Sequence, residues 1–399
     1  MRSAAIIGAS VAGMAAAKAL RAGGFDGDLH LISAEDELPY DRPPLSKGYL
    51  LGSQREEEIA LAPSSFFEEQ RISLYRGVRA QSLQEGSATL SDGTRLQFDR
   101  ALLATGCRLR RLRVPGEDLP GVLYLRTLRE ARAVRESLRR ARDVVVVGGG
   151  FIGLEVAAAA RQLGKPTLVL EALEMPLGRV LGREPSQAVT ALHADRGTRI
   201  ETRAEVAAFE GDAHGVRAVT LRDGRSFPCD LALVGVGVEP NDELVDGAGQ
   251  GAVVDGQLRT AIDGVYAAGD VARFPYRGQR VRIEHWDLAN SMGEHAARTM
   301  LGDETPFAAS LFFWSDQYDV TYQYFGLADP TDTLVLRGDL SRQDFIAFYL
   351  REGELRAAFT AGRPRDALPL RRLVDRAARV DPALLGSEEQ SLRRLSREL

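Results

Sequence analysis

Only two cysteines, Cys107 and Cys229, occur in the 399 residues, and they stand far apart. With no C-x-x-C pair and no cluster at metal-ligand spacing, neither a redox dithiol nor a structural zinc site is offered. The five histidines are scattered, which leaves no zinc or haem ligand set. Lysine is scarcer still: Lys18, Lys47 and Lys165 are the only ones, so arginine supplies nearly all the positive charge. No apolar run approaches the roughly 18 residues that would span a bilayer. The chain enters a strand-like run within four residues of Met1, which leaves no room for the basic, apolar and cleavage regions of a signal peptide. A protein in cytoplasmic solution, without membrane attachment, is the expectation. A formal net charge of −5 argues against broad nucleic-acid binding.

What remains is a globular balance, 44% hydrophobic and 27% charged, in a chain long enough for two or three domains. Residues Ala4 to Ile7 read as a buried strand, G-A-S-V-A-G at 8–13 as a tight turn, and the alanine-rich run that follows as a helix ended by Gly23 and Gly24. A second strand, Leu29 to Ser33, leads to the acids Glu35, Asp36 and Glu37. The same pattern returns later: Val144 to Val147, G-G-G-F-I-G at 148–153, a helix closed by Gly164, then Thr167 to Leu170 and Glu171. The repetition continues in short alternating segments after each unit, with turns at Glu85-Gly86, Asp92-Gly93 and Asp223-Gly224. Two strand–turn–helix–strand units in one chain imply two dinucleotides.

The glycine spacing has a physical reason. Gly8 permits the turn, the small Ser10 lets a pyrophosphate approach the backbone, and Gly13 lets helix and strand pack closely. The exposed N–H groups and the positive end of the helix then meet the phosphates. Gly148, Gly150 and Gly153 supply the same three positions in the second unit, with Phe151 and Ile152 between them. Glu171 stands where an acid accepts from an adenosine ribose and repels a 2′-phosphate, so NADH is expected over NADPH. In the first unit Glu35 is the equivalent acceptor, with Asp36 and Glu37 as competitors. From about Pro306 the composition turns aromatic, and strand-like segments at 318–326, 333–337 and 344–350 predict a smaller α+β domain. The last dozen residues look helical, as a surface helix or a partly disordered tail.

Several ordered motifs add to this: P-Y-D-R-P-P-L-S-K at 39–47, A-T-G at 104–106, the second glycine motif running on to Glu155, Y-A-A-G-D at 266–270, E-H-W at 284–286 and F-W-S-D-Q-Y at 313–318. Together they resemble the oxygenase-coupled NADH-dependent ferredoxin reductases, well over residues 1–350 and loosely beyond. The resemblance implies an α/β fold of two Rossmann-like domains, glutathione reductase-like, with a smaller α+β C-terminal domain. Its boundaries would be 1–108 and 238–305 for FAD, 109–237 for NADH, and 306–399 for the last domain. It implies FAD at Gly8, Ser10 and Gly13, with Glu35, Arg42, Lys47, Thr105, Asp270 and Trp286 also contacting this cofactor. NADH would lie on Gly148, Gly150, Ile152, Gly153, Glu171 and Gly237. Lys47, Glu155, Glu284 and Trp314 would stand at the reacting rings, with Lys47 and Glu155 paired across the domain boundary.

The implied activity takes hydride from NADH to FAD and passes single electrons to a [2Fe–2S] ferredoxin that serves a monooxygenase or dioxygenase. Arginines near 108–113 and 273–282, Arg273 and Arg277 among them, would suit an acidic ferredoxin. Two other readings share the flavin scaffold: an NADH oxidase, and a redox-sensing interaction protein of the apoptosis-inducing-factor type. The run 39–50 has no cysteine of the kind oxidases employ, and no long C-terminal insertion is evident.

Overall fold

The computed structural model describes residues Met1–Leu399, which divide into two compact units. The first comprises Met1–Pro43, Arg55–Arg108 and Val238–Ala309; the second comprises Pro44–Gln54, Leu109–Gly237 and Ser310–Leu399.

In the first unit, five short apolar runs form one parallel sheet in the order Val265–Ala267, Arg100–Leu103, Ser3–Ile7, Asp28–Ile32, Ile72–Tyr75. Ala4, Ala5 and Ile6 in the middle strand are fully buried, as expected when helices cover both faces of a parallel sheet. The helix Val11–Ala22 returns from the first glycine turn and packs along the helix Trp286–Met300. A separate antiparallel meander, Ala80–Gln84, Ser87–Leu90 and Arg95–Gln97, turns where the sequence placed Glu85-Gly86 and Asp92-Gly93.

The second unit repeats this plan. Its parallel sheet runs Arg199–Glu201, Thr167–Leu170, Val144–Val147, Leu231–Val234, Val122–Tyr124, and its meander is Val206–Asp212, Gly215–Leu221 and Ser226–Pro228. It also holds a five-stranded antiparallel sheet ordered Phe312–Gln317, Val320–Gly326, Glu354–Ala361, Asp344–Arg351, Thr333–Asp339. One apolar core joins the helix Phe151–Gln162 to this sheet through Leu154, Ala157, Tyr324 and Phe359.

The sequence reading had three of these five strands. Glu354–Ala361 escaped it because alanine-rich E-L-R-A-A-F-T-A favours helix by composition. Its inner position decides otherwise, with Leu355, Ala357, Ala358, Phe359 and Ala361 fully buried. The C-terminal helix Leu392–Glu398 is docked on the core by Leu392 and Leu395, three residues apart on one face, and is capped by the Ser391 hydroxyl. Residues 44–54, expected with the FAD-binding segments, lie in the second unit because Leu50 enters its core and Tyr49 packs under the Arg135 guanidinium.

Candidate nucleotide-binding and redox site

The strand Ser3–Ile7 ends in Gly8 at φ +115°, where an added Cβ would lie 2.1 Å from the Ala104 carbonyl oxygen. A Cβ on Gly13 would stand 1.9 Å from the Gly8 oxygen. Both positions are therefore closed to any side chain. The helix that starts at Val11 has no side-chain cap and no acid in its first turn. Arg42 points here: Nε donates to the Ser10 hydroxyl at 3.4 Å, and an Nη pairs with Glu35 at 2.7 Å. Tyr40 donates to the other Glu35 oxygen at 2.5 Å, which places Glu35 beside the helix opening. An uncapped helix end, a guanidinium and a carboxylate in sequence suit a pyrophosphate followed by a ribose, as FAD presents them.

The second motif reproduces the frame. Gly148 has φ +107° and a Cβ there would meet the Gly235 oxygen at 2.3 Å, while Gly153 is closed by the Gly148 oxygen at 2.1 Å. Gly150 differs: nothing lies within 4 Å of its absent Cβ, so the space in front of it is open. The helix Phe151–Gln162 again lacks a side-chain cap and an acid in its first turn. Other long helices also lack a side-chain cap, and only Leu128–Arg140 among them carries a capping box, from Thr127 and Glu130; what sets these two ends apart is the closed glycine turn in front of each. Glu171 follows its strand directly and accepts from the Gly149 and Leu173 N–H groups at 2.7 and 2.8 Å. Ile152, half exposed beside Gly150, leaves an apolar surface for a ring to cover. These residues fit a second dinucleotide without a 2′-phosphate.

Lys47 and Glu155 are 108 positions apart in sequence and form an ion pair of 2.7 Å. Only 2% of the Glu155 side chain is exposed, so its charge must be balanced from within the protein. Ser46 donates to the oxygen that Lys47 also binds, at 2.5 Å, and Ser315 donates to the other at 2.7 Å. The pair lies inside the second unit, not across a boundary between units as the sequence reading had it, because the segment 44–54 packs there. Replacing Lys47 with methionine should destabilise the second unit by about 3 kcal/mol, the low end for breaking a buried pair because two hydroxyl donors remain. Urea unfolding of Lys47→Met and of Lys47→Met/Glu155→Met tests this: the double variant should recover most of the loss. Equal destabilisation of both would contradict the ion-pair account.

The remaining candidates fall into three groups. Trp286 begins its helix and donates from Nε1 to Asp41 at 2.8 Å, which ties it to the segment holding Tyr40 and Arg42. Thr105 and Asn241 hold each other, hydroxyl to backbone carbonyl at 2.7 Å and amide to backbone carbonyl at 2.9 Å. Asp270 sits in a single helical turn where Arg282 donates to its carbonyl at 3.1 Å, and Arg282 also pairs with Glu284 at 2.7 Å. His285, next to Glu284, is pushed down to about 4 by enclosure in surrounding protein, against an opposing pull from Asp270, and is neutral near pH 7. Trp314, in the second unit, stacks on Phe312 with ring centres 6.2 Å apart. Gly237 has φ +98° and open space where a Cβ would be. Asn241, Tyr40, Ser46, Ser315 and Gln317 were not singled out as site residues from the sequence. The signal for Tyr40, Ser46, Ser315 and Gln317 was their place inside the motifs P-Y-D-R-P-P-L-S-K and F-W-S-D-Q-Y.

The cysteines take no part in disulfides. The Cys229 thiol is pushed up to about 12 by burial and by Asp230 and Asp143, which makes it inert near neutral pH. Of the basic groups, Arg108 pairs with Glu239 and Glu243, and Arg111 with Asp118 at 2.8 Å, so much of the 108–113 charge is compensated. Arg273, Arg277 and Arg280 lie on or beside the hairpin Ala272–Tyr276/Gln279–Val281.

Residues 2–293 match the pyridine nucleotide-disulphide oxidoreductase family, and residues 312–396 match the reductase C-terminal family. The chain belongs to the pyridine nucleotide-disulphide oxidoreductases. Within them it belongs with the NADH-dependent ferredoxin reductases. It is 38% identical over 404 residues to the 5,5'-dehydrodivanillate O-demethylase ferredoxin reductase subunit of Sphingobium sp. (strain NBRC 103272 / SYK-6), covering 98% of this chain and 97% of that protein. It is 36% identical to rhodocoxin reductase of Rhodococcus erythropolis, covering 92% and 88%. Among solved structures, the ferredoxin reductase for the CYP199A2 system from Rhodopseudomonas palustris superposes with a TM-score of 0.95 at 35% identity over 99% of this chain and all of that one. The covalent putidaredoxin reductase–putidaredoxin complex gives 0.96 at 33% identity, covering 100% and 98%.

Proposed function

We propose that the chain is an FAD-dependent NADH:ferredoxin oxidoreductase that accepts hydride from NADH and delivers electrons singly to a [2Fe–2S] ferredoxin serving a monooxygenase or dioxygenase. One observation carries the reading: two uncapped, acid-free helix ends, each behind a closed glycine turn, lie in one chain of this reductase family. Bound FAD supplies an acceptor for a two-electron hydride that can be reoxidised one electron at a time.

The protein's own groups bind, orient and balance charge. Gly8, Ser10, Gly13 and Arg42 hold the FAD pyrophosphate, with Glu35 on its ribose and Thr105, Asp270 and Trp286 along the rest of the cofactor. Gly148, Gly150 and Gly153 hold the NADH pyrophosphate, Glu171 its ribose, and Ile152 and Gly237 the adjoining surface. Hydride transfer needs no protein acid or base; it needs the two rings held in line. Lys47, fixed by Glu155, places a cation where negative charge develops on reduction. Glu284 and Trp314 serve at the reacting end. Arg273 and Arg277 supply positive charge for an acidic ferredoxin. The structure has no helix long and apolar enough to cross a membrane, and we assign the chain to the cytoplasm.

The test is cytochrome c reduction by the purified protein with NADH, with and without a [2Fe–2S] ferredoxin. Rapid reduction only when ferredoxin is present supports the reading, and a rate independent of ferredoxin refutes it. Coenzyme choice gives a second expectation. Glu171→Ala should raise kcat/KM for NADPH about 10-fold, the scale of one unfavourable charge contact removed, and lower it for NADH. An unchanged NADPH/NADH ratio would take Glu171 out of the ribose site.

A further inference from the structure

Six of the buried polar side chains, Ser46, Glu155, His193, Thr198, Ser315 and Gln317, belong to one hydrogen-bonded chain that ends on the carboxylate paired with Lys47. From Glu155 it runs through the Ser315 hydroxyl at 2.7 Å, the Gln317 amide nitrogen at 3.0 Å and, through the amide oxygen, to His193 Nε2 at 2.9 Å. On the far side of the imidazole, Nδ1 lies 3.4 Å from the Tyr318 hydroxyl, which in turn is 2.8 Å from Thr198. Ser315, Gln317 and His193 are completely buried, so water supplies no alternative partner.

The proton positions follow from chemistry. The amide nitrogen of Gln317 donates to Ser315, so the Ser315 proton is left to go to Glu155. The amide oxygen must receive a proton, so His193 carries one on Nε2. Burial pushes the imidazole down to about 4, so near pH 7 it is neutral and its Nδ1 accepts from Tyr318, which accepts from Thr198. Every donor in the chain thus points toward Glu155. Reversing the Gln317 amide would present its oxygen to Ser315, draw the hydroxyl proton away and leave one carboxylate oxygen short of a donor.

The far end is fixed by its turn and by packing. Tyr318, at φ +59°, opens the two-residue turn Tyr318–Asp319 between the paired Gln317 and Val320, a tight hairpin in which the positive φ belongs to the turn itself. Its ring is edge-on to His193 with centres 5.1 Å apart and lies under the Arg196 guanidinium.

We infer that His193, Gln317 and Ser315 are positioning residues for the redox site, a directional relay of hydrogen bonds that sets the orientation of the Glu155 carboxylate and, through it, the place of the Lys47 ammonium. The inference deepens the proposed function and rests on it. The helix Arg183–Asp195, which carries His193, thereby bears on hydride transfer without touching either ring.

The test is a double-mutant cycle on the flavin-loaded protein, read by anaerobic stopped-flow reduction with NADH. Ser315→Ala should slow reduction at saturating NADH about 10-fold, the scale of one hydrogen bond to a charged group, with the NADH dissociation constant and flavin content unchanged. Ser315→Thr, which keeps the hydroxyl, should restore it. His193→Phe should slow reduction in the same way, and Ser315→Ala/His193→Phe should be no slower than Ser315→Ala, because both cut one chain. If His193→Phe loses its flavin, Gln317→Met takes its place in the cycle. Independently of activity, ¹⁵N spectra of the imidazole-labelled, flavin-loaded protein should show one histidine, absent from His193→Phe, protonated on Nε2 alone from pH 8 to 5, and Gln317→Met should abolish that preference. Wild-type reduction in Ser315→Ala, additive losses in the double variant, or protonation of His193 on Nδ1 would each overturn the relay. A wild-type protein that NADH does not reduce would instead overturn the proposed function.

Discussion

Gly150→Val is expected to give a folded, yellow protein whose kcat/KM for NADH has fallen by at least about 100-fold. The backbone at Gly150 is extended, with φ −76° and ψ 175°, which valine adopts readily, and no atom lies within 4 Å of the added Cβ. The fold should therefore accept the side chain. What the branched group occupies is the open space before the helix end, where the pyrophosphate must reach the N–H groups. Losing two hydrogen bonds to a charged group, each worth about 1.5–3 kcal/mol, corresponds to a factor of 100 or more. The graded control is Gly150→Ser. Serine already stands at the corresponding position of the first motif, as Ser10, so this variant should lose no more than about 10-fold, within one such bond. Steady-state kinetics with flavin content measured in parallel distinguishes the outcomes. A Gly150→Val protein with an unchanged KM for NADH would mean that the second motif is not the NADH cradle.

Gly8→Val should have the opposite character, with the flavin lost and the first unit destabilised. Here the added Cβ has no space, 2.1 Å from a backbone oxygen, and the residue is held at φ +115°, which a β-branched side chain does not adopt. The oxygen it strikes belongs to Ala104, the neighbour of Thr105, whose clamp with Asn241 would be displaced as well. A strained backbone alone costs about 1–3 kcal/mol, and the collision adds to it. The purified variant should be colourless with a melting temperature lowered by several degrees, about 2–4 °C per kcal/mol for domains of this size. A yellow Gly8→Val with wild-type melting would refute the assigned role of this turn. The contrast between the two glycines is the sharper prediction: one substitution spares the fold and removes a substrate, the other removes the cofactor with the fold.

What could be read from the sequence was what local geometry dictates. Gly8 and Gly148 announce their turns because few other residues adopt φ beyond +100°, and the helices and strands beside them follow within a few residues. The duplication and the lack of a dithiol are of the same kind. The Lys47–Glu155 pair spans 108 positions and came into view through resemblance alone. His193 gave no sign at all, since a histidine on an otherwise ordinary helix becomes part of a network only when tertiary packing brings Gln317 to its ring. Glu354–Ala361 failed for a related reason: its composition favours helix, and only burial on both faces makes it a strand. Residues 44–54 show that chain order does not assign a segment to a unit, because Leu50 goes where its apolar surface is covered.

The central claim is that two nucleotides exchange a hydride on this chain and that a ferredoxin collects the electrons. Its most direct measurement is an anaerobic titration of the purified protein, followed at the flavin absorbance band: NADH first, then an oxidised [2Fe–2S] ferredoxin. One equivalent of NADH should bleach the band, and two equivalents of ferredoxin should restore it. A band that NADH leaves intact, or one that ferredoxin fails to restore, would contradict the account.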